Sequence, residues 1–262
     1  MKVGLIGYGQ IGRSVADAIR RGQAGETELV VVLVRDPSKC AGSPDSRIVV
    51  NDPARLYGSD AEVVVEVGGH DALRQHVSGV LESGKDLMTL SVGAFADPVF
   101  HGTVEEITRR TGRRVFVPSG AIAGLDMISA AALAPIDSVT HTTRKPPNAF
   151  TAEQMGIPGQ PEEPLLLFDG PARDGVGRFP ENVNVAAAVS LAGVGLDRTR
   201  LRVYADPTVV RNVHEVEVVG HFGRLFLRVE NEPSDNPKTG RIVPLSVAKA
   251  LRNLSAPIVF GL

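Results

Sequence analysis

Among its 262 residues the chain has one cysteine and no tryptophan, and aromatic residues make up only 5%. A lone cysteine, Cys40, excludes an intrachain disulfide framework and a zinc site built from clustered thiolates. No H-E-x-x-H run or carboxylate-rich loop stands in for it, so no metal is expected. No apolar run approaches the ~18 residues of a spanning helix. The opening Met1–Ile6 passes straight into a strand-like run rather than a signal-peptide pattern, and the expectation is a reducing, cytoplasmic setting. Charge of one sign is also lacking. With 28 basic and 30 acidic side chains the net charge is −2, without the basic excess of a general nucleic-acid or membrane-surface binder. What the chain has in surplus is glycine, 28 residues, about 11% against a usual share near 7%.

The first 120 residues alternate two patterns. Short valine-rich runs without polar alternation occur at Lys2–Gly7, Glu28–Val34, Arg47–Val50, Glu62–Val67, Asp86–Val92 and Arg113–Pro118. Such runs suit parallel strands covered on both faces. Between them Ile11–Arg21, Asp71–Ser83 and Pro98–Thr111 carry helical periodicity, the last two followed by Gly84 and Gly112 as stop signals. The expected fold class is α/β, a Rossmann-type doubly wound parallel sheet over 1–120. Beyond it, Gly124–Leu133 and Asn182–Leu191 read as helices. Ser138–Arg144, Arg198–Tyr204, Asn212–Val219 and Arg224–Glu230 read as strands, the last two alternating as in an antiparallel sheet with one solvated face. Thr151–Pro164 reads as an exposed loop. A second α+β domain is therefore expected over 121–238, with the helix in 239–262 completing the first.

Gly7-Tyr8-Gly9-Gln10-Ile11-Gly12 is a G-x-G-x-x-G that follows a strand and opens a helix. Gly7 permits the tight turn, Gly9 admits a pyrophosphate to the backbone, and Gly12 lets helix and strand pack closely, while Gln10 and Ile11 open the helix whose amides face the phosphates. At the end of the second strand an acidic residue binds a ribose 2′-hydroxyl and an arginine accommodates a 2′-phosphate. Arg35 and Asp36 stand there together, so NADP is favoured and NAD stays open, with Asp36 either a ribose ligand or the cap of the turn before Pro37. Gly68-Gly69-His70 and Ser91-Val92-Gly93-Ala94 end the fourth and fifth strands, where ligands lie in such sheets. His70 faces the cofactor or merely opens a helix. His76 and His101 read as packing or surface residues.

Further along stand Ser119-Gly120-Ala121-Ile122-Ala123-Gly124-Leu125-Asp126, Thr142-Thr143-Arg144-Lys145-Pro146-Pro147, Phe179-Pro180-Glu181-Asn182-Val183-Asn184-Val185-Ala186, Asn212-Val213-His214-Glu215 and Asn236-Pro237-Lys238-Thr239. With the glycine fingerprint and Leu90–Ala94, the chain resembles the L-aspartate dehydrogenase family nearly end to end. Ala123 and Phe95 depart from it, standing where glycine and leucine are common. The resemblance implies oxidation of L-aspartate to iminoaspartate with NAD or NADP, a second domain that carries catalysis and oligomerisation, a homodimer, cofactor contacts at Ala121 and Asn184, and a catalytic histidine at His214.

The residues themselves agree in part. Amine oxidation needs a hydride acceptor, which a bound dinucleotide supplies, and a base, which a histidine can be near neutral pH. A dicarboxylate needs fixed cations. Lys145 is the candidate for substrate binding or proton transfer, with Arg144 as its alternative. Asn182 serves as a helix cap or a ligand. His141 and His221 have no motif support and read as structural. Competing readings are a related oxidoreductase acting on homoserine, a semialdehyde or a cyclic imine, and a non-catalytic dinucleotide sensor.

Overall fold

A computed structural model describes residues 1–179, 183–234 and 240–261. The chain divides into two units, Met1–Gly120 with Val243–Leu262, and Ala121–Ile242.

In the first unit the valine runs become β1 (Lys2–Ile6), β2 (Glu28–Leu33), β3 (Val49–Val50), β4 (Val63–Glu66), β5 (Asp86–Thr89) and β6 (Val115–Phe116). They lie in the order β3-β2-β1-β4-β5-β6, all parallel. The crossovers are α1 (Gln10–Arg20), α2 (Pro53–Tyr57), α3 (His70–Glu82) and α4 (Pro98–Thr111). Local chemistry sets their ends. The Asp97 side chain accepts from Val99 N at 3.0 Å and Phe100 N at 3.3 Å, Pro98 opens α4, and Gly112 closes it in the left-handed region. Val3, Leu5, Val63 and Val65 are buried between Val15 and Ile19 of α1 and Val247 and Leu251 of the final helix α9 (Ile242–Ser255). Each fully buried side chain of this kind contributes about 1.5–3 kcal/mol.

In this unit some expected strands are shorter, and one helix stands where none was expected. The fifth strand ends at Thr89 rather than Val92, because Val92–Ala96 coils into a 3-10 turn. The third keeps two residues, with Arg47 in a preceding 3-10 turn. The helix α2 falls in a stretch too short for a periodic signal, though Asp52 caps it at Ala54 N, 2.9 Å.

The second unit holds α5 (Leu125–Ala131), β7 (Ile136–Lys145), α6 (Ala152–Met155), β8 (Leu165–Pro171), α7 (Ala172–Arg178), α8 (Val183–Ala192), β9 (Thr199–Ala205), β10 (Asn212–Gly220) and β11 (Gly223–Asn231). Its sheet runs β11-β10-β7-β9-β8 and is mixed, not antiparallel throughout, because β7 and β9 pair parallel. Three elements went unread in the sequence. The capping box of Thr151 and Gln154 starts α6 inside the expected loop. The edge strand β8 ends in Gly170-Pro171 and passes directly into the glycine-containing α7, so turn-forming residues mask both. One sheet face packs Val139, Val216 and Val218 against Ile128 of α5 and Val189 of α8. The other carries charge pairs such as Arg228 with Glu215 and, at 2.7 Å, Arg224 with Glu217. Asn182 and residues 236–239 lie outside the described residues.

Candidate active site

In the first unit β1, β4 and β5 end in register, Ile6 beside Glu66 and Glu66 beside Thr89. The glycine turns that follow therefore share one edge of the sheet, where ligands bind in doubly wound folds. The turn after β1 leaves no room for side chains on its protein side. A Cβ on Gly7, whose φ is +93°, would lie 2.7 Å from Gly68 Cα, and one on Gly12 would lie 2.3 Å from Gly7 O. A Cβ on Gly9 would meet nothing within 4 Å, so that side of the turn is open. Gly9 caps α1 without a side-chain hydrogen bond, and no acidic residue lies in the first turn with Gln10 and Ile11. The helix thus presents unneutralised amides and its positive end, which fits a pyrophosphate.

Glu66 holds the neighbouring turn. It is fully buried, and its Oε1 accepts from Gly68 N at 2.7 Å and Gly69 N at 2.8 Å. Its Oε2 accepts from the Thr89 hydroxyl at 2.6 Å, whose oxygen accepts from Ser91 N at 3.0 Å. One side chain thereby ties the Gly68-Gly69 turn to the end of β5. Sequence reading passed over it, although a single acid closing the run Val63-Val64-Val65-Glu66 was the available signal. His70 is the first residue of α3, behind Gly69.

At the end of β2, Asp36 serves as a cap. Its Oδ1 accepts from Ser38 N at 3.1 Å and Ser38 Oγ at 2.6 Å, and these bonds hold its carboxyl below the ordinary range. Arg35 is exposed beside it, and among the described residues no carboxylate pairs with it.

In the second unit the strand register collects the polar residues. His141, Thr143 and Lys145 alternate along one face of β7, and His214 of β10 stands opposite Thr143. All four are buried. His141 Nε2 lies 3.2 Å from His214 Nδ1, with ring centroids 5.4 Å apart. Burial lowers the His141 imidazole to about 4. Burial first, then the charges of His141 and Lys145, pushes His214 well below 6.5. Both rings are therefore neutral near pH 7. His141, read in the sequence as structural, is thus the ring partner of His214, which only the pairing of β7 with β10 could reveal.

Arg144 points to the other face. It binds Asp206 at 3.1 Å and Glu215 at 3.3 Å and lies 4.4 Å over the Tyr204 ring. Burial would raise the Asp206 carboxyl, but Thr208 and Arg144 together hold it below its ordinary value. The Arg144 charge is thus committed within the fold, which argues against it as the alternative to Lys145. Ala121 O accepts from the buried Asn231 Nδ2 at 3.0 Å, and Asn184 stands exposed in the first turn of α8. Among the described residues no group of three or more His, Cys, Asp or Glu could hold a metal, and no helix is long and apolar enough to cross a membrane.

Known proteins match the sequence of both units. Residues 126–254 match the family model described as aspartate dehydrogenase, C-terminal, and residues 7–118 match the homoserine dehydrogenase NAD-binding domain. An L-aspartate dehydrogenase of Methanosarcina barkeri is 40% identical over 271 residues, covering 100% of this chain and 99% of that protein. The chain belongs to the L-aspartate dehydrogenase family. L-aspartate dehydrogenase 3 of Bordetella bronchiseptica is 41% identical over 270 residues, covering 99% and 97%. The crystal structure of aspartate dehydrogenase from Thermotoga maritima superposes with a TM-score of 0.81 at 26% identity, covering 100% and 99%. A hyperthermophilic archaeal homoserine dehydrogenase in complex with NADPH has a TM-score of 0.61 at 12% identity and shares the fold alone. The homoserine dehydrogenase family model matches within the nucleotide-binding unit, while the sheet bearing His214 falls within the aspartate dehydrogenase match.

Proposed function

We infer that this chain is an NAD(P)-dependent L-aspartate dehydrogenase in which His214 is the catalytic base and Lys145 binds substrate. In the reaction L-aspartate loses a hydride from Cα to NAD(P)⁺ and a proton from its amino group. The products are iminoaspartate, NAD(P)H and a proton, and water then converts iminoaspartate to oxaloacetate and ammonia. The reverse direction is reductive amination at the same site. The observation that carries the residue assignment is the buried, neutral His214 beside His141 and Lys145 on the sheet that matches the aspartate dehydrogenase family.

When bound, the dinucleotide supplies the hydride acceptor. The chain supplies everything else. Gly7, Gly9 and Gly12 with the amides of Gln10 and Ile11 hold the pyrophosphate, and Gly68 lines the neighbouring turn. Ala121 and Asn184 orient the nicotinamide, a task of proximity rather than chemistry. Lys145 attracts a substrate carboxylate as a point charge. His214, kept unprotonated by burial, accepts the amine proton, passes it to solvent and, neutral again, takes a proton from the attacking water. At the ribose, Arg35 receives a 2′-phosphate while Asp36 stays engaged with Ser38, so NADP is accepted. The enzyme acts as a cytoplasmic homodimer without nucleic acid or membrane.

Incubating the protein with NAD or NADP and a panel of amino acids, and following the absorbance of reduced nicotinamide, tests the reading. Aspartate-dependent reduction supports it. Reduction only with another substrate, or dinucleotide binding without reduction, overturns it. His214→Ala is expected to lose kcat by about 10²–10⁴-fold with cofactor still bound. Arg35→Ala is expected to raise KM for NADPH with KM for NADH little changed.

A further inference from the structure

We infer that His141 is a positioning residue: it accepts the Nδ1 proton of His214 and so fixes the ring with Nε2 left unprotonated toward the substrate. The inference rests on the reading of His214 as the base.

The register explains why these two rings meet. His214 sits directly opposite Thr143, and His141 lies one pair further along on the same face, opposite Val216. That diagonal is within reach of aromatic side chains. The Nε2–Nδ1 separation of 3.2 Å is hydrogen-bond distance. Two neutral imidazoles carry one N–H each, so one proton lies between these nitrogens and decides what the outer nitrogen of His214 can do. If His214 Nδ1 donates, its Nε2 keeps a lone pair and can accept the amine proton. If His141 Nε2 donates, His214 presents an N–H and cannot be a base. The reaction needs the first arrangement, at a cost: it puts the His141 proton on Nδ1, which is buried without a hydrogen-bond partner among the described residues, and an unsatisfied buried donor is unfavourable. The reaction also needs the ring held still, and the contact of Nδ1 with His141 anchors the His214 ring, which is 4% exposed. A fixed ring partner that sets tautomer and orientation is the recurrent requirement for a catalytic histidine.

The pair has no net charge to spare. The charges that reach His214 come from His141 and Lys145, both on β7, while its neighbour on β11 is Val229. Near pH 7, though, His141 is itself neutral, so it acts on His214 as a hydrogen-bond acceptor rather than as a charge. An acceptor on Nδ1 favours the protonated ring, so removing it must move the acid limb of the kcat profile to lower pH.

His141→Leu and His141→Gln are the informative variants, because the glutamine amide can restore an acceptor near the position of Nε2. His141→Leu is expected to lower kcat about 10–100-fold, by analogy with the loss of a histidine's outer-shell partner. KM for the dinucleotide should be unchanged and the acid limb shifted downward. His141→Gln is expected to recover most of kcat. Wild-type kcat and an unmoved limb in His141→Leu overturn the inference. If His214→Ala itself keeps wild-type turnover, the reading of His214 has failed instead. Should His141→Leu not fold, long-range ¹H–¹⁵N spectra of the wild-type enzyme decide the matter. His214 protonated at Nδ1 supports the inference, and His214 protonated at Nε2 refutes it.

Discussion

Replacing Glu66 by glutamine changes almost no volume, yet it should cost about 2 kcal/mol. Glu66 Oε1 accepts from the Gly68 and Gly69 amides, so in Glu66→Gln the oxygen must stay there. The new amide nitrogen then faces Thr89 Oγ1, which already accepts from Ser91 N. A hydroxyl oxygen can accept both, but its own proton loses the Glu66 acceptor. Thr89 is fully buried, so water cannot take that proton, and an unsatisfied buried donor costs about 1–3 kcal/mol. Thr89→Val should cost a comparable amount, since it strips a partner from Glu66 Oε2 and from Ser91 N. The two changes break one network, so the double variant should be less destabilised than the sum by about 1–2 kcal/mol. Urea unfolding followed by far-UV circular dichroism measures all three. The KM for the dinucleotide should rise in Glu66→Gln, because the Gly68-Gly69 turn loses its anchor. A Glu66→Gln protein within about 0.5 kcal/mol of wild type, or strict additivity of the pair, would refute the reasoning.

Three other outcomes follow from the same contacts. Gly12→Ala places a methyl 2.3 Å from Gly7 O, so the turn must shift and dinucleotide affinity in a titration should fall at least tenfold, about 1.4 kcal/mol. Arg144→Ala leaves the buried Asp206 carboxyl without its cation and should destabilise by about 3 kcal/mol, while kcat per folded molecule stays near wild type; loss of aspartate binding instead would make Arg144 a substrate ligand. His141 has a folded value of about 4 against 6.5 in the unfolded chain. Its contribution to stability is therefore complete above pH 6.5 and is lost as pH falls toward 4, by about 3 kcal/mol. His214 acts in the same direction. Urea midpoints from pH 7 to 4 should fall more steeply for wild type than for His141→Leu, and parallel slopes would contradict the burial argument.

The first unit was the more legible because its signals are local. Parallel strands covered on both faces read as valine runs, and Asp97, Pro98 and Gly112 mark the ends of α4 on their own. The glycine turn likewise announces itself, since Gly7 and Gly12 are required by backbone distances within a few residues of each other. Where turn formers and strand residues share one segment, as in Leu165–Pro171, local composition gave no strand signal, and edge pairing to β9 made the strand.

His214 was marked by its motif and by family resemblance, and Lys145 by its charge at a strand end. Neither motif nor charge could say that His141 would lie within hydrogen-bond distance of His214, or that Arg144 would spend its charge on Asp206 and Glu215. Those partners lie 73, 62 and 71 residues away. The amino-acid order by itself determined the two patterns of hydrophobicity, the phosphate turn and the residue types available for catalysis. Only the tertiary structure decided which titratable groups face one another, because in a sheet the alternation of side chains fixes a face, and the register with a distant strand fixes the neighbour.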